Sequence, residues 1–471
     1  MFLLLEKEGI VEWEKENATI MAHMPKDIEL DVWKGIYLND RWIGYVHTNF
    51  VKNSQERGGY VLNSFSYLKF KMLNHLRNLA ITTVQELDPE YRLVTFRAGI
   101  TGLTDILVTG KKLGDAIHVE IRYGNTTHTR SFDVQSNDLF LEQSILSLMR
   151  GTGLKIGETF SMSIFNPLTM KTEKVTARVV RKERDTTVME TQVAGLVSTA
   201  WINPDGLVIK EETPNGWVMK LESEESIDRH LAESNEAAID IIKETSVRTA
   251  GSIAFPRTTM SMRIKITGIN PADFTFDGQQ QEIVNLHNGI MTISSVFPDP
   301  DTAPQLPYEG NELASFLQSS LWIECDDPLI KAKAREIIGD ETDSWRAAQK
   351  ISQWVYRNTD KIFSPGIPSA TAVLLFRKGD CNEHTVLFVA LARAAGIPAE
   401  MSAGIAYLND GFYYHAWPKV FVGKWVHLDP TFGQSIADAT HVELISGDIA
   451  AQAKLASIIG KISIEILESR R

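Results

Sequence analysis

The chain has 471 residues, 43% of them hydrophobic and 23% charged, with a formal net charge of −12. That length suits two or three domains, and the composition is that of folded globular material rather than a disordered or membrane-embedded chain. An acidic surface repels phosphate backbones, so no nucleic-acid partner is expected, and no stretch approaches the roughly 20 apolar residues of a membrane-spanning helix.

Phe2 to Leu5 is apolar, but Glu6, Lys7 and Glu8 end the run at once, so no signal peptide or anchor is expected in the chain as given. From about Asp31 to Leu221 the text alternates with period 2 between turn signals, which predicts a β-rich region in antiparallel pairing, a large curved sheet or open barrel. Trp33–Leu38 and Trp42–Thr48 flank Asn39-Asp40, a pair that tolerates positive φ, so a hairpin is predicted there. Gly58-Gly59, Gly124-Asn125 and Asn203-Pro204-Asp205-Gly206 punctuate later strands. Such a sheet could enclose an apolar ligand or hold a protein partner. Helices are predicted over Asp138–Arg150, closed by Gly151, and over Glu236–Glu244. Strands are predicted over Met260–Ile266 and Gly289–Val296, and Pro298, Pro300, Pro304 and Pro307 then suggest a linker. The resulting division is a β-rich domain over 1–228, a small α+β connecting unit with the Pro-rich linker over 229–310, and a C-terminal domain over 311–471.

The C-terminal third changes character. Helices are predicted over Asp327–Ile338 and Asp343–Asn358, the second with Ala347, Ile351, Trp354 and Val355 on one face. After a Pro/Ser break over Ser364–Ser369 comes Ala370–Phe376, and then Asp380 followed three residues later by Glu383, a capping-box pattern. Asp380 is then the N-cap of a helix that runs to about Ala395 and stops at Gly396, and Cys381 is its first residue. A thiol there feels the positive end of the helix dipole, which favours thiolate. Cys325 is the only other cysteine. Flanked by Glu324, Asp326 and Asp327, it reads as structural, and no disulfide framework is expected.

Phe412–Phe421 and Lys424–Leu428 alternate as strands joined at Gly423 and present His415 and Asp429, a base and the carboxylate that would fix its tautomer. Register sets a condition. A two-residue turn leaves the two side chains on opposite faces, whereas a three-residue turn over Val422-Gly423-Lys424, or an equivalent bulge, puts them on one face. His384 lies one turn after Cys381, where helical neighbours rarely give an in-line proton path, and His427 reads as a packed strand histidine. No cysteine pair has ligand spacing and the histidines are scattered, so neither a metal nor a cofactor is expected.

The strings Gly379-Asp380-Cys381-Asn382-Glu383-His384, Leu391–Ala399, Tyr414-His415-Ala416-Trp417 and Trp425-Val426-His427-Leu428-Asp429-Pro430-Thr431 resemble the bacterial branch of the transglutaminase-like superfamily. The resemblance runs from roughly Cys325 onward. It implies an α+β fold whose papain-like core packs a helix-borne cysteine on an antiparallel sheet, and a triad of Cys381 nucleophile, His415 base and Asp429 orienting carboxylate. It also implies attack of the sulfur on an amide carbonyl to give a thioester that water or an amine resolves. Animal cross-linking relatives place tryptophan after the nucleophile and use calcium, whereas this chain has Asn382 and no recognisable calcium loop. The expected activity is therefore a thiol amidohydrolase, a cysteine peptidase or protein deamidase acting on a protein or peptide. The alternatives are a calcium-independent acyltransferase and a binding protein with a vestigial site. Proteins of this branch are often found in the cell envelope, so an extracytoplasmic site is expected for a chain shortened at its N-terminus and a cytoplasmic one otherwise.

Overall fold

The structure is a computed structural model that describes residues 29–53, 58–72, 75–102, 105–123, 126–133, 139–140, 154–166, 171–193, 196–214, 216–269, 280–285, 288–299, 303–320, 322–362, 369–447, 455 and 458–471. It divides into two compact units, residues 1–241 and 242–471.

In the first unit the alternating sequence forms one sheet, with fifteen strands among the described residues. The opening strand, Leu30–Leu38, pairs on one side with Arg41–Lys52 and on the other with Trp217–Glu222, so two meanders run outward from it. The pairing is antiparallel throughout except at one edge, where Leu139–Phe140 runs parallel to Thr159–Asn166. Alternation sorts the side chains. Ile36, Phe50, Leu62 and Leu68 are buried on one face, while Trp33, Tyr45, His47, Phe65 and Tyr67 form a half-buried aromatic stripe on the other. Asn39 and Asp40 both take positive φ in the predicted hairpin turn, whose backbone twist suits two antiparallel strands. The helix predicted over 138–150 lies outside the described residues except for Leu139 and Phe140, which are strand. Gly124-Asn125 and most of the predicted break over 364–369 also lie outside them.

Two expectations for the middle of the chain are corrected. The helix there begins earlier than predicted, at Glu224–Ala237 behind the cap of Ser223, with a separate short turn of helix at Ile241–Glu244. The stretch holding Pro304 and Pro307 is not a free linker. Leu306 donates its backbone N–H to Thr342, Ser344 donates to Pro304, Tyr308 donates to Gly396, and the Leu306 side chain packs on the helical core. Proline removes donors, but the neighbouring carbonyls and N–H groups remain and find partners here.

The second unit has helices Pro328–Ile338, Ser344–Asn358, Ala370–Phe376 and Cys381–Ala394. Asp327, Asp343, Ser369 and Asp380 cap them in order. The Cys381 helix is buried on nearly every side from Glu383 to Ala392, which is why its sequence is apolar all round rather than striped. It packs with the other helices and with Ala399, Met401, Val420 and Val426 of a four-stranded antiparallel sheet in the order Trp425–His427, Gly411–Phe421, Ala399–Leu408, Val442–Ser446. The strand Ala399–Leu408 serves a second core in succession. Its Ala403, Ile405 and Tyr407 pack with Met262, Ile264 and Ile293, from the strands Ser261–Thr267 and Ile290–Ser294, which the sequence reading placed in a connecting unit.

Candidate active site

Cys381 opens its helix. The Asp380 side chain accepts from the backbone N–H of Asn382 at 2.8 Å and caps that of Glu383, while Glu383 Oε2 accepts from the Asp380 N–H at 2.9 Å, completing the predicted capping box. Gly379 is required by this packing, since a Cβ there would lie 2.2 Å from the Cβ of Glu383. The His384 N–H is taken by the Asp380 carbonyl. Among the described residues the Cys381 N–H has no acceptor, so the first turn keeps one free donor beside the sulfur.

His415 lies on the strand Gly411–Phe421, directly opposite Gly404, where a Cβ would lie 2.0 Å from the Val442 carbonyl oxygen of the next strand. The neighbouring strand pairs Phe421 with Trp425 and Lys419 with His427, leaving the three-residue turn that the register argument requires. Asp429 follows just beyond this strand, fully buried, and its Oδ2 accepts from His415 Nε2 at 2.8 Å. Its Oδ1 accepts from the backbone N–H groups of Thr431 at 2.7 Å and Phe432 at 2.9 Å. The imidazole of His415 stacks on Phe432, with ring centroids 4.5 Å apart and planes 7° apart, which fixes its plane. With Nε2 committed to Asp429, Nδ1 is the nitrogen left for the thiol. The backbone N–H of Ala416, next to His415 in the chain, lies against the Cys381 sulfur.

The electrostatics depart from the sequence expectation. Cys381 is half-buried as a residue, but the packing around its sulfur pushes the thiol well above its ordinary value, and the carboxyl groups of Asp380, Glu383 and Asp429 add to this against the Ala416 N–H. The helix terminus that should favour thiolate is thus ringed by acidic groups. Burial together with Asp380 raises Glu383 itself to about 9. Burial would also raise Asp429, but His415 and His441 hold it well below the usual carboxylate range.

His441, which the sequence reading did not single out, is the second partner of Asp429. It is fully buried, and its Nε2 lies 3.0 Å from the same Oδ2. Its Nδ1 faces the Asp438 carbonyl at 3.1 Å and Asp438 Oδ1 at 3.4 Å. Burial opposes its charge, yet the two carboxylates raise it to about 9. Asp438 pairs in turn with Arg257 Nη1 at 3.1 Å, and the Arg257 guanidinium lies 4.5 Å over the Phe432 ring. His415, Asp429 and His441 group closely enough to be considered as metal ligands, but hydrogen bonds account for each Nε2, and a proton network is the simpler arrangement.

The remaining candidates have structural partners. His384 Nδ1 bonds the Asp380 carbonyl at 2.7 Å, and burial lowers its pKa. His427 Nδ1 accepts from the Trp417 indole at 2.8 Å, as a packed strand histidine. Cys325 is buried, and burial, with a smaller contribution from Asp326, raises its thiol. No helix among the described residues is long and apolar enough to cross a membrane.

Residues 331–430 match the family model of the transglutaminase-like superfamily, a span that contains Cys381, His415 and Asp429 and ends before Asp438 and His441. An uncharacterized protein of Haemophilus influenzae is 31% identical over 99 residues, 20% of this chain and 27% of that protein, so the chain spans about a quarter of the curated relative it matches. Among solved structures, a candidate cysteine protease from Cytophaga hutchinsonii aligns over 45% of this chain and 86% of its own at 17% identity, with a TM-score of 0.31. A beta-barrel-like protein of a domain of unknown function from Brucella abortus aligns over 42% of this chain and 98% of its own at 14% identity, with a TM-score of 0.27.

Proposed function

We propose that the transglutaminase-like segment works as a thiol-dependent amidohydrolase on protein or peptide amides, with Cys381 as nucleophile, His415 as base and Asp429 as orienting carboxylate in a papain-like core. The observation that carries this reading is the 2.8 Å bond from His415 Nε2 to a fully buried Asp429, with the Ala416 N–H beside the Cys381 sulfur. In the first step Sγ bonds to the amide carbon as its proton passes to His415 Nδ1. The carbonyl oxygen becomes an oxyanion, for which the free Cys381 N–H is a suitable donor. Collapse expels the amine or ammonia with the proton from His415 and leaves a thioester. Water then attacks with His415 as base, releasing the acid and restoring the thiol.

A second reading, a binding protein with a retired site, is favoured by the acidic setting that raises the thiol. Ammonia release from glutamine-containing peptides separates the two. Amidohydrolysis is expected to give ammonia that depends on Cys381 and is unchanged by an added primary amine; transfer to the amine in place of water would identify an acyltransferase. No ammonia and no peptide cleavage from a broad peptide library would favour the retired site.

A further inference from the structure

Resting on the triad reading above, we propose that His441 is a positioning residue, a fixed cation that shares Asp429 with His415 and keeps the resting site as thiol and imidazole rather than thiolate and imidazolium. Both of its nitrogens face acceptors. Nε2 faces the Asp429 carboxylate at 3.0 Å, and Nδ1 faces the Asp438 carbonyl at 3.1 Å and its carboxylate at 3.4 Å; two anions facing one ring favour a proton on each nitrogen. His384 supplies the contrast, since its nitrogens face backbone carbonyls alone and burial lowers its pKa. Two carboxylates, not carbonyls, hold the charge on His441.

The charges around His441 then balance. Asp429 and Asp438 are negative, and His441 and Arg257 positive. The other faces of the His441 ring meet Trp417 and Phe432, and His415 lies with its ring centroid 5.8 Å away. In a three-member site the Asp429 charge would be free to hold a second proton on the base. Here that charge is already compensated, and a proton on His415 would set two cations against one oxygen. The sulfur has the carboxylates of Asp380 and Asp429 near it, while Glu383 holds its proton below about 9, so it gains nothing by ionising first. The base is therefore engaged during attack on the substrate, when the proton leaves the sulfur as the new bond forms. Both His441 and Asp438 lie beyond the segment matched by the family model.

The test is the pH dependence of Cys381 alkylation by iodoacetamide, read at that residue by mass spectrometry in the full chain. His441→Gln keeps a donor for Asp429 and removes the charge. The inflection is expected to fall by about one pH unit or more, a tenfold change in thiolate at fixed pH, and a His415→Ala replacement added to His441→Gln is expected to restore the higher inflection. Should His441→Gln fail to fold, Asp438→Asn, which removes one of the two carboxylates holding the charge, is expected to shift the inflection the same way. An inflection unmoved or raised by these variants, while His415→Ala alone changes the wild-type profile, would overturn the role of His441 and leave the triad standing. A profile indifferent to His415→Ala in both backgrounds would overturn both.

Discussion

Asp429 is shared by two imidazoles, and its replacements separate charge from shape. Asp429→Ala leaves the buried His441 cation facing Asp438 alone, and breaking a buried pair in this way costs about 3–5 kcal/mol. Urea unfolding is expected to show that loss, while Asp429→Asn, which keeps the shape, loses less stability but most of the turnover. The same groups set the pH dependence of stability. Asp429 and Asp438 are lowered in the folded state, so their contribution is present above their unfolded value of 3.8 and lost as pH falls through the folded values. His441 is raised from 6.5 to about 9, so its contribution is complete below 6.5 and lost as pH rises to 9. Glu383, raised from 4.5 to about 9, also binds its proton more tightly when folded, so it lowers stability as pH rises across that interval. The optimum is therefore expected on the acid side of neutrality, and His441→Gln is expected to remove the part of the decline that begins near 6.5. At this scale the sequence pointed to Cys381, His415 and Asp429 but not to His441. A lone histidine ahead of a short apolar alternation carries no sign of the carboxylate it will meet, because that contact is made by tertiary packing.

The helix start and the strand turn are the two elements that place the site. Glu383→Gln keeps an acceptor for the Asp380 N–H while removing a carboxylate near the sulfur. It is expected to preserve the helix, to flatten the stability decline from 4.5 up to about 9, most visibly below 6.5 where His441 does not contribute to it, and to lower the alkylation inflection of Cys381. Gly379→Ala has no such tolerance, since its Cβ meets Glu383, and a drop of about 1–3 kcal/mol is expected in denaturant melts, as for other overpacked sites. Inserting one residue after Gly423 makes the turn even and moves Asp429 to the far face from His415. Turnover is then expected to fall about as far as in His415→Ala, with the sheet retained by circular dichroism. The cap and the odd turn were legible because both are local. The effect of the helix start on the thiol was not, because the carboxylate of Asp429 and the degree of burial come from distant parts of the chain.

Across the whole chain, every residue placed in the site, from Arg257 to His441, falls within the second unit, residues 242–471. Strands that the sequence set apart as a connector share a core with Ile405 and Tyr407, so a fragment beginning at 311 is expected to lose that core and aggregate. A fragment of 242–471 is expected to fold and keep the alkylation profile of the full chain, as read by mass spectrometry. The β-rich character of the first unit was plain from period-2 alternation, but its strand order was not. Alternation fixes which face a side chain takes and is silent on which strands meet, as with the pairing of the first strand with the last.

The most direct test is acylation of Cys381 by a nitrophenyl ester at neutral pH, followed by intact mass and by nitrophenol release. One acyl group per chain on Cys381 is expected, formed about 100-fold or more slowly in His415→Ala, the scale of lost general-base assistance. Equal rates in the two proteins, or acylation elsewhere with Cys381 untouched, would contradict the assignment of Cys381 and His415 as nucleophile and base.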